Sequence, residues 1–199
     1  GSGSWVRARP TGRPSLADVA NHELFVLAGI DPAESAPVLD LFIKRAVRRN
    51  GAKLLVVNPR RIEAVRYTSA AGAANGAFIG IRPGTEAIAV SAIAAGVLAN
   101  RQDAGKKRGA SQGAANDEWS WLRSTNVAQA ATATGVTAGD LDAAAKLVAG
   151  ATNPLFIYGT QFALGEAGQV AVAALTNLAI AAGHGDKMAF VGAEANSQG

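Results

Sequence analysis

Three short turns hold the residues best suited to chemistry: Gly29-Ile30-Asp31-Pro32, Asn58-Pro59-Arg60-Arg61 and Gly159-Thr160-Gln161. Each follows a continuous apolar run, so each stands where a buried strand would end. Glycine lets a backbone come close to a phosphate, and amides at a helix start favour an anion. A polar residue closing a second strand, here Asn58, is where nucleotide folds hold a ribose hydroxyl. Any α/β domain also needs such turns to reverse its chain, so the turns alone leave both readings open. Neither Gly-x-Gly-x-x-Gly nor a Walker loop occurs, which argues against an ordinary NAD or ATP site.

Other chemistry has little to work with. His22 and His184 are the only histidines, and neither sits at His-Glu-x-x-His spacing. The one Gly-x-Ser-x-Gly run, Gly109 to Gly113, lies in a polar stretch with no apolar strand before it, so no nucleophile elbow supports a serine. His184, between Gly183 and Gly185, reads as a loop residue. The chain has no cysteine, hence no disulfide, thiolate zinc site or cysteinyl iron–sulfur ligand. No residue is assigned a catalytic or metal-binding role.

The formal charge of +4 lies mostly in the first third of the chain. Lys44, Arg45, Arg48 and Arg49 read as the solvated end of one helix, whose dipole they complement. No aromatic residues interleave with these bases as a single-strand binder would require, so no nucleic-acid partner is expected. Apolar stretches such as residues 87–99 fall short of the roughly 20 residues of a membrane helix, so no direct membrane insertion is expected.

The elements that must carry the turns follow from patterning. Residues 24–29, 53–58, 78–81, 154–159 and 188–191 read as short strands, buried on both faces because they do not alternate. A helix starting at Pro37 would bury Val38, Leu41, Phe42 and Val47 and stop at Asn50-Gly51. A small-residue helix would run from about 85 to Leu98, a short one would carry Trp119 and Trp121, and Thr137 with Asp140 would cap another to Ala149. A last helix spans 169–182. Strands alternating with helices predict an α/β fold, a Rossmann-like parallel sheet with helices on both faces. Residues 1–19 read as a basic leading segment or cloning remnant, 20–199 as the domain, and 101–116 as an exposed loop.

Five segments, in order, resemble the molybdopterin oxidoreductase family. Gly29-Ile30-Asp31-Pro32 with Ala36-Pro37, then Gly51-Ala52-Lys53 leading to Asn58-Pro59-Arg60, resemble its Gly-x-x-Pro, Gly-Ala-Lys and Asp-Pro-Arg pattern. Gly84-Thr85-Glu86 resembles its Gly-Thr-Asp segment, and Leu175-Thr176-Asn177-Leu178-Ala179 its Leu-x-Asn-Leu-Ala stretch. Asn196-Ser197-Gln198-Gly199 is similar to an Asn-x-Gln-Gly signature in the form found in the G subunit of NADH:quinone oxidoreductase (complex I).

The resemblance implies a domain gripping half of a molybdopterin guanine dinucleotide in relatives that carry it. Gly29 and Asp31 would stand at the dinucleotide turn, Asn58 at the ribose and Glu86 at the guanine edge, with Arg60 and Thr85 in the same motifs. Asn58 and Glu86 replace two aspartates of the pattern. An amide offers one acceptor oxygen where a carboxylate offers two. These departures favour a non-catalytic scaffolding domain of the complex I G subunit, with a vestigial site and no cofactor of its own. Iron–sulfur clusters would then lie elsewhere in the parent chain. Its partners would be the parent chain's other domains and other complex I subunits, in the cytoplasm at the inner face of the membrane. The alternatives are a pterin-dinucleotide domain of a formate-dehydrogenase-like oxidoreductase and a free-standing nucleotide-binding module.

Overall fold

The computed structural model describes residues 16–68, 76–107 and 119–192. Five strands, β1 (Leu24–Ala28), β2 (Lys53–Asn58), β3 (Gly76–Gly80), β4 (Pro154–Gly159) and β5 (Met188–Val191), form one sheet in the order β3-β2-β1-β4-β5. Every pairing is parallel. The Rossmann-like α/β expectation holds, and three of the five strands begin and end where the apolar runs do.

Alternation along the strands feeds two separate cores. Leu24, Val26 and Ala28 of β1, with Leu55, Val57 and Phe156, face one side; Phe25, Leu27, Leu54, Val56, Leu155 and Ile157 face the other. Strands covered on both faces have no solvent side to mark with polar residues, which is why they read as unbroken apolar runs.

On the second side lies α3 (Pro37–Asn50), with a 3-10 turn over Glu63–Tyr67; short helices α1 (Leu16–Val19) and α2 (Pro32–Ser35) precede β1 and α3. The first side carries α4 (Glu86–Lys107), α5 (Ser120–Arg123), α6 (Val127–Thr134), α7 (Ala138–Ala149) and α8 (Gly165–Ala181). Alanines dominate the buried surface of α4, at 89, 92, 94 and 95, so that this helix packs closely against α7 and α8. The Thr137 cap is reciprocal: its Oγ1 accepts from the Asp140 amide at 3.1 Å and donates to the Asp140 carboxylate at 2.7 Å.

Two expectations need correction. Val38 and Leu41 of α3 are exposed, at 54% and 64%, while Asp40, Ile43, Ala46 and Val47 face the core. Asp40 can be buried because the Lys44 ammonium lies 2.6 Å from its carboxylate and also holds Glu63 at 3.0 Å. α4 does not stop near Leu98 but continues to Lys107, so residues 101–107 of the expected loop are helical. Arg101, on that extra length, donates to the Ala182 carbonyl at the end of α8. The rest of the loop, residues 108–116, lies outside the described residues, as do most of the leading segment and the Asn196 signature. Trp119 is partly buried against the core, whereas Trp121 is 52% exposed.

Phe156 is fully buried on β4, an interior strand of the sheet. Phe156→Ala should cost about 3–5 kcal/mol in a denaturant titration. A loss below about 0.5 kcal/mol, the size of a surface change, would contradict the interior position of β4.

Candidate nucleotide crevice

The sheet order reverses between β1 and β4. β1 sends the chain to α3 on one face, and β4 sends it to α8 on the other. Chains that part in this way leave a crevice at the carboxyl ends of the strands, where open α/β sheets bind ligands. A crevice of about 580 Å³ lies there, lined by residues 29–31, 58–60 and 159–161 of the three polar turns together with Glu34, Ser35, Glu86, Phe162 and Val191.

Glycine sets its floor. Gly29 has φ +55°, and its amide donates to the Val57 carbonyl at 3.0 Å. A Cβ built on Gly29 would lie 2.8 Å from the Phe162 Cβ. At Gly159 an added Cβ would lie 3.1 Å from the Ile30 Cβ and 3.3 Å from the Gly29 carbonyl. The ends of β1 and β4 thus approach more closely than two side-chain-bearing residues allow.

Charge is concentrated at one wall. Asp31 caps α2, its carboxylate accepting from the Ala33 amide at 3.2 Å. Arg60 donates to the Glu34 carboxylate at 3.1 Å and stands 4.0 Å from that of Asp31. Burial pushes the Asp31 carboxyl above its ordinary range; the neighbouring charges of Glu34 and Asp40 add to this, while the Ala33 amide and Arg60 oppose it. Asn58 is buried, and its Oδ1 accepts from the Arg60 amide at 3.0 Å, which leaves the Nδ2 hydrogens for donation. α3 and α8 both start without a side-chain cap, but Pro37 brings no N–H to the first, and Asp40 and Glu166 set a negative charge in the two first turns.

Of the six residues expected at a cofactor site, Gly29, Asp31, Asn58, Arg60 and Glu86 line one crevice. Thr85 is not among the lining residues; its hydroxyl donates to the Arg82 carbonyl at 2.7 Å and helps start α4. The Glu86 carboxylate accepts from the Gly84 amide at 3.2 Å. Glu34 and Phe162 were not anticipated. Phe162 follows the Gly159-Thr160-Gln161 turn, but Glu34 reaches the wall only through the placement of α2. The histidines are structural in their contacts: His22 Nδ1 lies 3.2 Å from the Asn153 carbonyl and His184 Nε2 lies 3.3 Å from that of Ala151.

A profile of the family described as molybdopterin oxidoreductase matches residues 3–195. The chain belongs to the molybdopterin oxidoreductase family. It is 30% identical over 158 residues to the NADPH-Fe(3+) oxidoreductase subunit alpha of Geobacter sulfurreducens, a match covering 79% of this chain and 18% of that one. It is 37% identical over 82 residues to dimethyl sulfoxide reductase DmsA of Haemophilus influenzae, covering 40% of this chain and 9% of that protein. Among solved structures, acetylene hydratase from Pelobacter acetylenicus superimposes with a TM-score of 0.57 at 18% identity, over 87% of this chain and 22% of the other. At that identity the likeness shows the fold alone. The chain spans about a fifth of the length of these larger proteins.

Among the described residues no group of three His, Cys, Asp or Glu side chains could hold a metal ion, and no helix is long and apolar enough to cross a membrane. The donor set suits a nucleotide instead. Carboxylates and an amide can meet sugar hydroxyls and base N–H groups, while Arg60 can meet phosphate.

The raised Asp31 value fixes a sign. Folding penalises the charged carboxyl, so its favourable contribution is complete in acid and lost as pH rises from the ordinary aspartate value through the folded one. Asn caps a helix as well as Asp. Asp31→Asn should therefore raise the melting temperature at neutral pH, with no difference below the ordinary aspartate range. A lower melting temperature at neutral pH would show that the Arg60 contact outweighs burial.

Proposed function

We propose that this chain is a dinucleotide-binding domain of a larger molybdopterin-dependent oxidoreductase, and that its crevice holds the guanine-nucleotide end of the cofactor. The observation that supports this most is the convergence of Gly29, Asp31, Asn58, Arg60 and Glu86 at the point where the strand order reverses. Gly29 and Asp31 would shape the turn beneath the pyrophosphate, Asn58 would meet the ribose and Glu86 the guanine edge. When bound, the molybdopterin group would supply the redox chemistry; this domain's residues bind and orient it. The relatives' names, an NADPH-Fe(3+) oxidoreductase subunit and a dimethyl sulfoxide reductase, lean the same way.

One observation favours a second reading, a scaffolding domain of the complex I G subunit without a pterin. Asn58 and Glu86 each commit an acceptor oxygen to the chain's own amides, at Arg60 and Gly84. Residues that only brace their own turns need no ligand.

Calorimetry with GDP, a stand-in for the guanine end, separates the two. The binding reading expects saturable binding below millimolar concentration. It also expects about tenfold or greater tightening in Asn58→Asp, since a charge-assisted hydrogen bond contributes roughly 1.5–3 kcal/mol. No heat at millimolar GDP in either protein favours the scaffold.

A further inference from the structure

Arg60 is the one cation lining the crevice among the described residues, and it already has a partner. Its Nη2 lies 3.1 Å from the Glu34 carboxylate and 4.0 Å from that of Asp31. The two carboxylates are held very differently. Asp31 is 11% exposed and anchored to the Ala33 amide; Glu34 is 68% exposed, and its contact with Arg60 is an open ion pair.

We infer that Glu34 is a built-in substitute for a ligand phosphate, which must displace it from Arg60. The inference rests on the nucleotide-crevice reading and concerns how that site selects its ligand. An exposed carboxylate–guanidinium pair is held weakly, because water screens it and two long side chains must be ordered. A phosphate brings more charge and can take the guanidinium fork in two parallel hydrogen bonds. Exchange thus favours phosphorylated ligands. For a neutral nucleoside Glu34 has no reason to leave, and with Asp31 and Glu86 it keeps the wall acidic.

The geometry also separates two roles. Glu34 sets the threshold for anion capture, and Arg60 is the group that captures. Removing the Glu34 charge should tighten anion binding only while Arg60 is present. Both side chains are mostly exposed, so neutral replacements leave the core untouched.

The test is a double-mutant cycle on the whole chain, with inorganic pyrophosphate as the probe and Glu34→Gln, Arg60→Gln and the double variant compared at fixed ionic strength. Glu34→Gln should tighten pyrophosphate about two- to fivefold, the range an exposed ion pair commands. Arg60→Gln should weaken it, and the gain should vanish in the double variant. An unchanged affinity in Glu34→Gln, the same gain without Arg60, or no pyrophosphate binding by any variant would each overturn the inference. Parallel titrations with GDP keep the two proposals apart. GDP binding with no coupling between Glu34 and Arg60 sinks the exchange alone. An intact cycle with GDP no tighter than pyrophosphate supports the exchange and sinks the guanine-nucleotide reading.

Discussion

The close approach of β1 to β4 at their carboxyl ends is the contact on which the rest depends. Gly29 turns through φ +55° with its amide tied to Val57, and Phe162 fills the space its side chain would need. That seam lets one strand deliver its chain to α3 and its neighbour deliver to α8 on the opposite face. The two cores, each fed by alternate residues of the same strands, are the packing consequence. The crevice opens along the same seam, where Phe162 and Ile30 occupy the side-chain space that Gly29 and Gly159 leave.

The crevice combines a floor suited to phosphate with a wall rich in carboxylates. Burial already resists the charge on Asp31, and Arg60 relieves only part of it. A second anion in the same place is tolerable only if a carboxylate withdraws, and Glu34 is the one free enough to do so.

Much of the fold was legible because buried parallel strands leave a strong trace. β2, β4 and β5 begin and end where apolar runs meet Pro, Gly or Asn, and the Thr137-Asp140 cap was visible as a local pattern. The failures were long-range. The face of α3 was misread because Asp40 looks like a solvent residue until Lys44 and Glu63 are seen around it. The length of α4 depends on Arg101 reaching the end of α8, a contact across more than eighty residues. α6 was missed although Asn126, whose side chain accepts from the amides of Ala128 and Gln129, gives a local start signal. At the site, the turns identified five lining residues. Thr85 was carried along by its motif, and Glu34 had no signal, since nothing in the order of residues says that α2 turns it toward Arg60.

The central claim is that the reversal point of the sheet is a nucleotide site, and mapping backbone amide resonances during a GDP titration tests it most directly. Saturable shifts are expected at residues 29–31, 58, 60, 86 and 159–162, with those of His22, Glu23 and Asn153 at the opposite ends of the strands unmoved. Shifts centred elsewhere, or none at millimolar GDP, would contradict it.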